Sequence, residues 1–157
     1  MGESKGETGF HRRVGASSFN QTWDYLEKSR KTKEEEQEML HLAHASRYHW
    51  GIVGTARNRA VGDWLLSRVY ADIGQSGLSL SFARSALVAC RKNRLVDIEH
   101  TANEAMARAY AVSGDTNKAK KYIETARRQL DGLDLSKEDR RVYSDQIRQT
   151  ARLIEGR

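Results

Sequence analysis

A forty-residue period constrains this 157-residue chain more than any other property of its sequence. Leu66, Tyr70 and Gly74 recur as Met106, Tyr110 and Gly114, while Ser67, Ser79 and Ala86 recur as Ala107, Ala119 and Ala126. Applied backwards, the same offset pairs Leu26 with Leu66, Ala43 with Ala83 and Ser46 with Ala86. A period of this length marks a stack of like units, each leaving an apolar face that only its neighbour covers. The residue types indicate how one unit is built. Small side chains let two helices approach closely, and the Leu/Met and Tyr positions fill the layer between them. Glycine ends the first helix of a pair because it tolerates a left-handed backbone.

Cap and turn signals divide the chain into helices at matching intervals. Residues 1–17, with four glycines and no periodicity, read as a disordered N-terminal tail. A capping box at Ser18–Gln21 predicts a first helix running to Arg30. A second box at Thr32–Glu35 predicts a helix that reaches His49 or Trp50 and stops at Gly51 or Gly54. Thr55 caps a third helix to Ile73, and a fourth spans Gly77 to Lys92. Asp97 caps a fifth to Ser113, Asp115 a sixth to Leu130, and Ser136 with Asp139 opens a last amphipathic helix. Seven helices and no strand candidate predict an all-α fold, with residues 18–155 as a single domain.

The run Leu66-Ser67-x-x-Tyr70-x-x-x-Gly74, followed by Ser79 and Ala86, resembles the tetratricopeptide repeat. Its counterpart Met106-Ala107-x-x-Tyr110-x-x-x-Gly114, followed by Ala119 and Ala126, resembles it more closely. The likeness covers about residues 55–130 and is weaker over 18–50. It implies a right-handed superhelical stack of antiparallel helix pairs, an α-solenoid closed by a C-terminal capping helix. The wider resemblance is to short bacterial tetratricopeptide-like proteins of unassigned role. The chain departs from the family's thirty-four-residue period by six residues, inserted twice in the same connection. The stretches Ser46 to Asp63 and Ala86 to Asn103 therefore lengthen the second helix of a pair or its exit loop. The family's closing proline is missing, since the chain has none, and its usual tryptophan position holds Trp23, Asp63 and Asn103.

Composition narrows the function classes. No apolar stretch approaches the roughly 20 residues of a membrane-spanning helix, and the mean hydropathy is −0.75. The N-terminal residues lack the apolar core of a secretory signal, so the expected location is cytoplasmic, with no membrane partner. Cys90 is the single cysteine, which excludes an internal disulfide. Lys and Arg number 27 against 21 Asp and Glu. The surplus lies wholly in residues 41–130, which hold 14 basic and 7 acidic side chains. A basic centre attracts nucleic acid or acidic peptide through its long-range field, although a net charge of this size also serves solubility alone.

No residue pattern demands catalysis. His41 and His44 share a helix face but His49 does not, and neither a His-Glu-x-x-His motif nor a cysteine pair completes a zinc set. Cys90 has basic neighbours, yet its repeat equivalents Trp50 and Leu130 are apolar, so a buried structural thiol is expected. No phosphate-cradling glycine loop or nucleophile elbow is present. The terminal Ile154-Glu155-Gly156-Arg157 spells a sequence commonly engineered for protease cleavage and is assigned no function. The expectation is a non-enzyme without metal or cofactor.

The family resemblance implies a concave surface lined by the first helix of each pair. Its inward positions are Asp24, Lys28, Trp64, Arg68, Asp72, Thr101, Glu104, Arg108 and Val112. Lys28, Arg68 and Arg108 stand forty apart, a column of cations along the groove. In one reading they pair with Asp24, Glu104 and Asp72 and merely solvate the face. In the other, Lys28, Arg68 and Arg108 with Asp72, Glu104 and a Trp64 anchor bind a protein partner, an acidic peptide or a helix. The second reading predicts a non-catalytic interaction module or scaffold. Its rival is a nucleic-acid binder using Arg84, Arg91, Lys92, Arg94, Lys120 and Lys121. Self-association into a homodimer is a further expectation, since solenoid ends are open.

Overall fold

The computed structural model describes residues 4–156, and among them there are seven helices and no strand. In chain order they are α1 (Lys5–Leu26), α2 (Lys33–Val53), α3 (Ala56–Asp72), α4 (Ser76–Lys92), α5 (Glu99–Ser113), α6 (Thr116–Asp131) and α7 (Lys137–Glu155). No helix among the described residues is long and apolar enough to cross a membrane.

The caps do most of what the sequence predicts. Thr32 and Glu35 form a reciprocal capping box on α2, and Gly54 ends that helix. Asp115 and Ser136 accept the Lys118 and Asp139 backbone N–H groups at the starts of α6 and α7. Gly74 and Gly114 adopt left-handed φ values of 79° and 87° behind α3 and α5, the turns the repeat assigned to them. The six-residue insertions take both predicted forms. The first lengthens α2 to 21 residues, and the second enlarges the α4–α5 connection over 93–98.

Besides α1 ending at Leu26 rather than Arg30, two boundaries differ from the sequence expectation. Residues 5–17 are helical rather than a disordered tail, while residues 1–3 lie outside the described part of the chain. The capping box that opens α1 is Ser4 with Glu7; Ser18, the predicted cap, is buried in mid-helix. What holds this segment is close packing of small residues. Gly15 lies so near α2 that an added Cβ would stand 2.8 Å from the Trp50 indole nitrogen, and its carbonyl accepts the Ser46 hydroxyl at 2.8 Å. The buried residues of α1 are Gly15, Ser18 and Thr22, none of which registers as apolar periodicity. Gly15→Ala should therefore lower stability by about 1–2 kcal/mol in urea unfolding, overpacking against Trp50 outweighing the better helix propensity of alanine. The second difference is at α5, where Asp97 does not cap the helix. Its carboxylate pairs with Arg57 at 2.7 Å, and α5 starts two residues later.

Packing follows the repeat. α1 packs chiefly on α2, α3 on α4 and α5 on α6; α2 also meets α3, and α4 meets α5. The odd-numbered helices touch in sequence, α1 to α3, α3 to α5 and α5 to α7. The even-numbered helices stand farther apart: α2 and α4 meet through the His44 and Phe82 rings, with centroids 5.9 Å apart. The repeat positions form the buried core: Leu66 and Met106, Ala86 and Ala126, and Ala43 and Ala83 are all buried. Fully burying a leucine or methionine side chain is worth about 1.5–3 kcal/mol. Between α3 and α4 the small pair is Ser67 and Ser79, the latter donating to the Ser67 carbonyl at 2.8 Å. Between α5 and α6 the equivalent pair is Ala107 and Ala119. Above them Tyr70 stacks on Phe82 and Tyr110 on Tyr122, both with ring centroids 5.6 Å apart.

Candidate functional site

The three cations spaced forty apart converge on one place. Lys28 follows the end of α1, Arg68 stands in the fourth turn of α3, and Arg108 in the middle of α5. All three line a cavity of about 440 Å³, together with Trp23, Leu26, Glu27, Ser29, Asp72 and Gln149.

The inner wall is a buried charge cluster. Glu104 lies one helical turn before Arg108 on α5, so the pair meets as i, i+4 neighbours. Arg108 Nε donates to Glu104 Oε1 at 3.1 Å, and Arg68 Nη1 stands 3.8 Å from the same oxygen. The Thr150 hydroxyl of α7 donates to that oxygen too. Arg68 Nη2 donates to the Gln149 carbonyl at 2.6 Å, and its guanidinium lies over the Trp23 ring, 5.1 Å from the centroid. Beneath, Trp23 contacts Trp64 at a centroid separation of 5.7 Å. Glu104 Oε2, Arg68 Nη1, Arg108 Nη2 and Trp64 Nε1 are buried with no hydrogen-bond partner among the described residues.

Two guanidinium groups thus share one carboxylate. Burial, and next the neighbouring Arg108, lower Arg68 to about 10 against the pull of Glu104 and Asp72. Burial works to raise the Glu104 carboxyl, but Arg108, Arg68 and the Thr150 hydroxyl bring it below its ordinary value. The carboxylate lies between two cations and is over-compensated, whereas Arg68 is held down first by its own burial.

The rim cations have carboxylates of their own. Lys28 pairs with Glu35, not with Asp24, and Lys31 holds Asp72 at 3.0 Å. Trp64, expected as a surface anchor, is only 7% exposed and belongs to the core, and Glu104 is as deeply buried. The ring on the cavity wall is Trp23. Asp24 borders a separate shallow depression with Gln21, Tyr25 and Lys28. Thr101 donates to the Ile98 carbonyl at 2.7 Å at the start of α5. Val112 is half-buried near the end of the same helix.

Gln149 and Thr150 had no signal in the sequence. Continuing the forty-residue column from Arg108 leads to Arg148, which is exposed and paired with Asp145. The next residue is the one that reaches Arg68, so α7 does not keep the register of the repeat.

The remaining chemical candidates are engaged elsewhere. His44 Nε2 hydrogen-bonds with the Tyr70 hydroxyl at 2.9 Å, and His49 Nδ1 with His11 Nδ1 at 2.7 Å. No group of three or more potential metal ligands occurs among the described residues. Cys90 is buried, which pushes its thiol up to about 11 and leaves it un-ionised at neutral pH. Arg84, Arg91, Lys92, Arg94, Lys120 and Lys121 are all exposed, and Arg91 is paired with Glu99 at 3.2 Å. In comparisons with protein-family models, curated proteins and solved structures, nothing matched the chain.

Proposed function

We propose that this chain is a non-catalytic interaction module, a tetratricopeptide-like stack that takes a peptide or partner helix along the face formed by α1, α3 and α5. In this reading the helix pairs are antiparallel and the stack is a right-handed superhelix with α7 as its cap. The asymmetry of the layers supports curvature: the odd-numbered helices approach one another closely in sequence, while α2 and α4 meet through the side chains of His44 and Phe82. The observation that carries the functional reading is the 440 Å³ polar cavity, where side chains from α1, α3, α5 and α7 meet. Its walls combine an aromatic ring, charged groups of both signs and an amide, the mixture that orients a polar ligand rather than one that activates a nucleophile.

Peptide-display selection on the immobilised protein tests this, with Lys28→Glu as the control surface. Lys28 is exposed and outside the core, so the variant folds normally. Selected peptides should lose about tenfold in affinity on Lys28→Glu, the effect of reversing a rim charge. No enrichment, or peptides that bind both proteins equally, would sink the proposal. The rival reading, nucleic acid on the exposed cations of α4 and α6, is favoured instead by two results together. These are oligonucleotide binding indifferent to Lys28→Glu and a steep loss of that binding with salt.

A further inference from the structure

We infer that the cavity beside Arg68 and Arg108 is a pocket for a single carboxylate carried on a short aliphatic arm. The inference rests on reading this face as the binding face and adds the chemistry of what enters it. Three observations carry it. First, the buried cluster holds two guanidinium groups against one carboxylate, so it has a cationic surplus, whereas the neighbouring cations Lys28 and Lys31 each have a carboxylate partner. Second, Arg68 is 93% buried by its 7% exposure, yet it lines the cavity and spends its Nη2 on a neutral carbonyl, that of Gln149. A carboxylate oxygen in the same place makes a charge-assisted bond, roughly twice as strong as the neutral one. Third, Trp23 and Leu26 supply an apolar wall next to the guanidinium, suited to methylene groups.

Glu27 and Asp72 on the remaining walls set an upper limit on ligand charge. With Glu104 behind the arginines, a phosphate dianion meets three carboxylates with twice the charge that a monoanionic carboxylate brings, and is repelled correspondingly more. Gln149 is exposed on α7, and its side chain swings clear without disturbing the core. It is therefore the competitor that the incoming carboxylate displaces from Arg68. Two sources present this chemistry, a small free acid and the side chain of a glutamate in a partner.

Titration with butyrate, with glutamate blocked at both backbone ends, and with inorganic phosphate tests the pocket. Tryptophan fluorescence reports it, because Trp23 lines the cavity and Trp64 touches Trp23. Butyrate should saturate the signal, and blocked glutamate should do so too if the natural source is a partner's side chain. Gln149→Ala should bind about tenfold tighter, having lost the internal hydrogen bond to a charged group. Arg68→Gln should bind at least about tenfold more weakly. Because Arg68→Gln alters a buried cluster, Gln149→Ala at the surface is the decisive variant. Equal or tighter binding of phosphate, or carboxylate binding unaltered in Gln149→Ala, overturns the pocket. Peptide selection and acid titration fail separately. Butyrate binding without peptide enrichment keeps the pocket and removes the peptide reading, and enriched peptides lacking acidic residues do the reverse.

Discussion

Glu104→Gln should be the most damaging single substitution at the site, lowering stability by about 3–5 kcal/mol. The substitution keeps the size of the side chain and a carbonyl to receive Arg108 Nε and the Thr150 hydroxyl. What it removes is the negative charge shared by two guanidinium groups, Arg68 at 7% exposure and Arg108 with 13% of its side chain exposed. With no carboxylate at Glu104, the desolvation of Arg68 and Arg108 is uncompensated. For a chain of this size each kcal/mol moves the melting temperature by about 2–4 °C, so the variant should melt at least 6 °C lower. The reciprocal experiment separates ionic from shape effects. Replacing the whole cluster by Arg68→Met, Glu104→Leu and Arg108→Met together should restore most of the loss, since apolar substitutes for a buried triad are commonly neutral or stabilising. That triple variant should also have lost all response to butyrate. A Glu104→Gln protein within about 1 kcal/mol of the wild type would show that the guanidinium groups are not held by this carboxylate.

The helices and their pairing were legible because they are written in strong local signals. Thr32, Asp115 and Ser136 announce helix starts, Gly74 and Gly114 announce ends, and the forty-residue offset states which helices are alike. α1 was legible only from Ser18 onwards because its contact with α2 is made by Gly15, Ser18 and Thr22. Such an interface is tight through the absence of side chain, and periodicity of apolar residues has no purchase on it. The end of α4 at Lys92 was legible as well. The turn behind it passes through Arg94 at a φ of 53°, a left-handed conformation for which the sequence offers no glycine as a marker.

The site was half legible. Spacing alone brought Lys28, Arg68 and Arg108 to one face, and the structure adds that they share one cavity. It could not reveal depth. Trp64 and Glu104 occupy successive equivalent positions in α3 and α5, which the family pattern turns toward the groove, but both lie beneath Trp23 and α7. The covering by α7 depends on where a non-repeating helix docks, which no periodicity encodes. A surface ladder in the sequence thus became a buried cluster with a cavity in front of it. That difference moves the energetics from screened pairs worth little to desolvated charges worth several kcal/mol.

Acidification should weaken the fold well before the carboxylates titrate. His100, in the first turn of α5, is 1% exposed, its ring edge-on to Tyr143 of α7 at 4.5 Å, with Nε2 lacking a hydrogen-bond partner. Burial drives its pKa down from 6.5 to about 4, and the Asp97 backbone, Glu104 and the Asp97 carboxylate only partly oppose this. The folded chain therefore keeps the imidazole neutral, while the unfolded chain takes up a proton as soon as the pH falls below 6.5. The stability that depends on His100 is complete above that value, declines as the pH falls toward 4 and is spent below it. At about 1.4 kcal/mol per pH unit the loss across this window is about 3 kcal/mol. His44 and His49 are also lowered by burial and by their histidine neighbours, so they add to the same slope. Glu104, whose carboxyl is depressed, contributes separately and only below the ordinary carboxylate pKa near 4.5. Urea unfolding at intervals from pH 7.5 to 4 should show this decline, and His100→Phe, which keeps a ring against Tyr143 but cannot be protonated, should remove most of it. If both proteins lose stability in parallel across that range, His100 is not what couples the fold to acid, and the slope belongs to the exposed histidines of α2.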